Sequence, residues 1–194
     1  MKSKKILLIF LVCVILFSIY TIQQKNKFNS EIRAKYEINE FSNDEKEGKY
    51  KRAIDFFGDL KFINSDEFLL SEYIGEKVIL LDFWTYSCIN CQRTLPYIKE
   101  WYQEYEKFGL LVIGVHTPEF DFEKDYQNVN EKVLQYGLKY PVILDNDYNI
   151  WNSYGINAWP TKILIDKEGF IVYKSIGEGK YQETESKIQE LLKI

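Results

Sequence analysis

Cys88 and Cys91 stand three positions apart in a chain of 194 residues whose one other cysteine is Cys13. A strand-like run ends just before them and a helix-like pattern begins with them, so Cys88 falls at the opening turn of a helix. There a thiol faces backbone N–H groups that lack partners and the positive end of the helix dipole, which stabilise its thiolate and lower its pKa. A spacing of three returns the second sulfur to the same end of the helix, where it can resolve a mixed disulfide formed on the first. Cys88 is the expected nucleophile and Cys91 the resolving thiol. The same pair is also half of a zinc site, but zinc takes about four ligands. Beyond Cys13 the chain offers no third cysteine, and His116 is its single histidine. A purely structural bridge is the other reading, and closing so short a loop restricts the unfolded chain comparatively little.

The elements that must position this pair are legible on both sides of it. Residues 78–84 are apolar except for Asp82, the pattern of a strand covered on both faces. After the cysteines, Leu95, Ile98, Trp101, Tyr102, Tyr105 and Phe108 recur at helical spacing with charged residues between them, and Gly109 ends the pattern. That is an amphipathic helix. Residues 110–116 predict a second buried strand, 123–136 a second helix, 141–144 a short strand and 148–154 a brief helix. Residues 162–166 and 170–176 predict two strands joined by a turn at 167–169, before a closing helix over 181–192. This order describes an α/β sandwich around a mixed central sheet.

The folded part begins near Ala53, and residues 23–52 read as a polar spacer. Residues 1–22 join a basic head, with Lys2, Lys4 and Lys5, to an uncharged stretch over 6–22. This is an export signal at the lower length limit for crossing a bilayer. No small-x-small cleavage site follows it, which favours an uncleaved single-span anchor over a removed signal peptide. Either way the remainder faces outward, so the expected location is the cell membrane with the domain on the extracytoplasmic side, or secretion if the signal is cleaved. Cys13 is read as an apolar residue of the span. A formal net charge of −4 with no Lys/Arg block excludes nucleic acid as the default partner.

The stretches DFWTYSCINCQRTLPYIKEWY (residues 82–102), GLLVIGVHTPEF (109–120) and AWPTKILID (158–166) resemble the TlpA/ResA-like extracytoplasmic thioredoxins, and most closely the thioredoxin-like domain of DipZ-type proteins. The likeness runs from about Phe62 to the C-terminus. It implies a thioredoxin fold, with a mixed central sheet flanked by helices and a TlpA-like insertion before Pro160, following the N-terminal anchor or signal. Asp82 matches the family's buried acid, whose burial should raise its pKa and suit it to exchange a proton with Cys91. Trp84 matches the aromatic that flanks the site, and core packing accounts for it equally well. Pro96 matches the proline that kinks the first helix. Pro160 matches the proline whose cis bond, here after Trp159, presents extended backbone to a docking substrate chain. Glu119 matches a carboxylate that tunes thiol acidity and partner choice, while His116 is as readily a packing residue. Ile89-Asn90 departs from the dipeptides of ordinary thioredoxin and of strong oxidants, so the resemblance does not carry over the direction of electron flow.

The expected activity is thiol-disulfide oxidoreduction without a cofactor, reducing disulfides in exported proteins, with electrons from a membrane thiol carrier as the resemblance implies. Two alternatives stay open. Thr85, three residues before Cys88, is placed as in thiol peroxidases, although Leu81 replaces their further proline and only Arg33, Arg52 and Arg93 are available to polarise a peroxide. A redox-inactive peptide-binding module using Trp84 and Trp159 is the other.

Overall fold

Val78–Trp84 is buried along its whole length because layers of apolar side chains cover both of its faces. The computed structural model describes Gln23, Gln24 and residues 46–194. The expected membrane segment 1–22 and most of the expected spacer lie outside the described residues. Among the described residues no helix is long and apolar enough to cross a membrane.

In chain order the elements are β1 (Lys61–Ile63), β2 (Val78–Trp84), α1 (Ile89–Tyr105), β3 (Leu110–His116), α2 (Tyr126–Tyr136), β4 (Val142–Leu144), α3 (Asn149–Ser153), β5 (Thr161–Ile165), β6 (Ile171–Ile176) and α4 (Tyr181–Leu192). The strands form one sheet in the order β1-β4-β3-β2-β5-β6. β2, β3 and β4 run parallel, whereas β1, β5 and β6 each pair antiparallel with their neighbours. The sheet is therefore mixed, as expected, and β2 lies inside it between β3 and β5. Lys51 and Ala53 already pair with the approach to β6, through the Ile171 N–H to Lys51 O and the Ala53 N–H to Gly169 O.

Alternation along β2 divides the core. Val78, Leu80 and Trp84 face a cluster containing Cys91, Leu95, Ile98 and Trp101 of α1 together with Ile188 of α4. Ile79, Leu81 and Phe83 face a second cluster with Phe56, Phe68, Trp151 and Tyr154. Each fully buried aliphatic or phenyl side chain contributes about 1.5–3 kcal/mol, so the central strand is held firmly from both sides. Its C-terminal end, where the cysteines follow, is thereby a rigid base.

Three local details differ from the expected outline. β1 has only three residues, too few for a periodic signal. The helix expected over 123–136 is split into a 3-10 turn, Asp121–Lys124, and α2, which starts three residues later than expected because Asp125 caps it by accepting from the Asn128 N–H. α1 ends at Tyr105 and passes into a 3-10 turn that Gly109 closes in the left-handed conformation, φ 104°. Pro96 sits inside α1, and its ring removes one backbone hydrogen bond from the helix.

Candidate active site

Cys88 is the N-cap of α1, and its Sγ accepts the Cys91 N–H at 3.2 Å. The thiol position is thus aimed at the unpaired amides of the first helical turn, which favour a negative sulfur there. Cys88 and Cys91 are joined as a disulfide, with Cα atoms 5.2 Å apart. The two sulfurs are unequal in access. Cys88 is half-buried, whereas Cys91 is 1% exposed, so an incoming thiol or disulfide reaches Cys88 and not Cys91.

The turn that carries Cys88 is fixed by several donors. Tyr86 O accepts from Gln92 Nε2 at 2.9 Å and from Tyr136 Oη at 3.1 Å. The Tyr86 N–H donates to His116 Nε2 at 3.4 Å, and the Tyr86 ring stacks on the imidazole. His116 is fully buried, and burial pushes its pKa down to about 4, only partly offset by the Glu123 carboxylate. It is a neutral ring that packs and accepts.

Glu119, the carboxylate expected at the site, is exposed. It contributes its backbone: its N–H donates at 2.6 Å to Oε2 of Glu123, and Phe120 N–H donates to the same oxygen at 3.0 Å. Glu123 is fully buried. Its other oxygen, Oε1, accepts the Ser87 N–H at 3.2 Å and the Ser87 hydroxyl at 2.6 Å. Burial raises the pKa of this carboxyl, but hydrogen bonds from Ser87, Thr85, Phe120 and Glu119 outweigh it and hold the group below its ordinary value. An ionised carboxylate therefore ties the residue before Cys88 to the loop after β3. The stacked, exposed rings of Phe120 and Phe122 stand on that loop, with Tyr86 Oη donating to Phe122 O.

Asp82 is 1% exposed, and Oδ1 has no hydrogen-bond partner among the described residues. Burial raises its pKa to about 7, against the opposing pull of Lys162. It alternates with Leu80 and Trp84, and so lies on the sheet face that carries Cys91. Trp84 is fully buried, its ring nearly perpendicular to the His116 imidazole; it supports the site from within and offers no face to a docked chain. The Trp159–Pro160 bond is cis. Trp159 is half-buried against Trp151, ring centroids 4.2 Å apart, while Pro160 is buried with its carbonyl accepting from Gly177 N–H at 2.7 Å. Thr85 is buried and directed to His116 Nε2, 3.3 Å away, and to Glu123. Glu123, Ser87 and Lys162 are the members of this region that motif spacing did not single out.

A mixed sheet with a half-buried and a buried cysteine at the end of its central strand defines a thioredoxin-like dithiol protein. Residues 51–174 match the model of the AhpC/TSA family, and the chain belongs to that family. The DipZ protein of Mycobacterium tuberculosis is 49% identical over 116 residues, covering 60% of this chain and 17% of DipZ. The match thus spans less than a fifth of that relative. The thiol-disulfide oxidoreductase ResA of Bacillus anthracis is 32% identical over 133 residues, covering 64% of this chain and 74% of ResA. Among solved structures, the pneumococcal exposed lipoprotein thioredoxin of Streptococcus pneumoniae superposes with a TM-score of 0.59 at 28% identity, covering 71% of this chain and 100% of that one.

Proposed function

We propose that this chain is an extracytoplasmic thiol-disulfide oxidoreductase that reduces disulfides in exported proteins, with Cys88 as nucleophile and Cys91 as resolving thiol. The observation that carries the reading is the asymmetry of the pair: a half-buried sulfur capping α1 and a buried one a turn behind it. Asp82 serves as proton acceptor for Cys91, and Trp159 with Pro160 borders the surface where a substrate chain docks. The kinship with ResA supports the reaction class. The extracytoplasmic placement rests on the basic head and apolar run of residues 1–22, with residues 23–52 as tether and 53–194 as the thioredoxin-like domain. A membrane thiol carrier is the proposed electron donor. The thiol peroxidase alternative loses support because Thr85 is turned to His116 and Glu123, and Arg93 on α1 engages Glu178 and Asn90.

The reduction potential of the pair, equilibrated against dithiothreitol or glutathione with Cys88→Ala as control, tests the reading. A value near or below about −250 mV fits a reductant, and one above about −150 mV makes the protein an oxidant of exported thiols. Absence of any reversible two-electron couple would leave the fold with a binding role only.

A further inference from the structure

Trp84 ends β2 and His116 ends β3; the two are register partners in the parallel pair, and the Thr117 N–H donates to Trp84 O at 3.0 Å. The segments beyond them therefore leave the sheet side by side. Cys88 lies four residues past Trp84, and Phe120 four past His116. Phe120 and Phe122 are 49% and 55% exposed, and their rings stack with centroids 5.4 Å apart and planes 8° from parallel. Phe122 in turn meets the Tyr86 ring, centroids 6.2 Å apart, and Tyr86 stands two residues before the reactive sulfur. Ile89, directly after Cys88, is exposed as well. Apolar side chains thus flank Cys88 in both chain directions.

The loop that shows these rings is braced along its length. Glu123 takes the Glu119 and Phe120 amides. Phe122 O accepts from Tyr86 Oη at 3.1 Å and from Asn128 Nδ2 at 3.3 Å, Pro118 O accepts from Tyr148 Oη, and Lys124 O accepts from Asn146 Nδ2 at 2.8 Å. Phenyl rings on a slack loop can fold back onto the surface, whereas rings on a braced one stay in water until a ligand covers them. The chemistry at Cys88 says what that ligand is. While Cys88 is bonded to a substrate sulfur, the few residues beside the substrate cysteine, each reaching about 3.3–3.6 Å, are laid over the neighbouring surface. Asp121, between the two rings, is answered by Lys124 at 2.8 Å, and exposed Glu119 leaves a negative charge at the rim.

We propose that Phe120 and Phe122 form a substrate ledge, which receives a large apolar side chain lying within a few residues of the disulfide cysteine of an exported polypeptide and free of acidic neighbours. This rests on the oxidoreductase reading above and names the substrate class of that site. The Cys88 thiolate bonds to one substrate sulfur as the other leaves, and Cys91 then displaces the first, closing the Cys88–Cys91 bond. Two electrons and two protons pass from the protein dithiol to the substrate, which ends as two thiols. The ledge takes no part in these bond changes. It acts on binding, and covering a half-exposed ring is worth about tenfold in affinity.

Three peptide disulfide dimers of equal length serve as probes, with Phe and Lys, Ser and Lys, or Phe and Glu beside the cysteine; hydroxyethyl disulfide, which has no flanking residues, is the control. Wild type is expected to reduce the Phe/Lys dimer with a KM about tenfold below that of the Ser/Lys dimer and with similar kcat. The Phe/Glu dimer should have a KM severalfold above the Phe/Lys one, a gap that Glu119→Gln narrows. Phe120→Ser with Phe122→Ser, two exposed changes, should erase the preference for Phe and leave reduction of hydroxyethyl disulfide at the wild-type rate. Equal KM for the Phe/Lys and Ser/Lys dimers in wild type, or a preference that survives in the double variant, would overturn the ledge. So would equal slowing of the double variant on hydroxyethyl disulfide, which would make the rings structural. Binding of wild type to phosphatidylglycerol vesicles that the double variant loses, with the peptide preference unchanged, would assign the rings to a membrane surface instead. A wild type that reduces none of the four disulfides, while the thiol form of the Phe/Lys peptide still shifts the Phe120 and Phe122 ring signals, would overturn the oxidoreductase reading and leave the docking surface standing.

Discussion

Glu123 grips both the backbone N–H and the hydroxyl of Ser87 with one carboxylate oxygen while the other holds the amides of Glu119 and Phe120. The nucleophile's neighbour and the loop after β3 therefore move as one piece, joined by a buried charge 36 residues away in sequence.

Removing that charge should cost stability. Glu123→Ala leaves the part-buried Ser87, Glu119 and Phe120 amides to water, at about 1–3 kcal/mol in all; Glu123→Gln costs less. The folded pKa lies below the ordinary 4.5, so the contribution is complete above that value and is lost as pH falls through the folded one. Urea midpoints from pH 3 to 7 are expected to fall more steeply with acid for wild type than for Glu123→Gln. Parallel curves would show that the ionised form is not what holds the loop.

His116 gives a separate acid response. Its folded pKa, about 4, lies below the ordinary 6.5, so protons bind the unfolded chain first. Its contribution is complete above about pH 6.5 and drains away toward pH 4, roughly 3 kcal/mol in all. As the chain's single histidine, it yields one imidazole Hε1 signal. That signal should stay flat down to pH 5, and a midpoint near 6.5 would contradict a buried neutral ring.

Asp82→Asn should trade activity for stability. The raised folded pKa, about 7 against 3.8, means that ionisation penalises the fold from about pH 4 upward, with the full penalty present above pH 7. The amide removes the charge, so the variant is expected to be more stable than wild type at pH 8, by about 2–4 kcal/mol. Disulfide reduction at pH 7 should fall about a hundredfold, the usual lower bound for losing a general base. Denaturant midpoint and turnover, measured on the same preparation, check both halves.

Cys91→Ala should accumulate a covalent adduct between Cys88 and an exported substrate, visible on a non-reducing gel and absent from Cys88→Ala. Equal trapping by the two variants would remove the division of roles between an accessible and a buried sulfur.

The sequence disclosed the frame of this site more readily than its braces. β2 and α1 announce themselves through a continuous apolar run and a helical period, and the cysteines at their junction need no partner from elsewhere in the chain. Glu123 was hidden because it stands among the charged residues of FDFEKD, where local pattern reads a helix face; its partner Ser87 is reached only when β2 and β3 lie side by side. Glu119 had the motif position, yet only its backbone N–H meets the carboxylate. Lys162 looked like an ordinary interruption of a strand, since register with Asp82 is a property of the β2/β5 ladder and leaves no mark on either segment alone.

The pairing of Lys51 and Ala53 with Gly169 and Ile171 sets where the chain enters this domain. Ile171 pairs with Ile165, and Ile165 with Ile79 near the start of β2, whereas the cysteines follow its far end at Trp84. The length of a seven-residue strand, about 20 Å at 3.3 Å per residue, therefore separates the entry from the reactive sulfurs. Lys51 thus meets the sheet at the pole opposite the reactive sulfurs, so a load applied to the chain there is borne by the β5/β6 edge and not by the turn that carries Cys88.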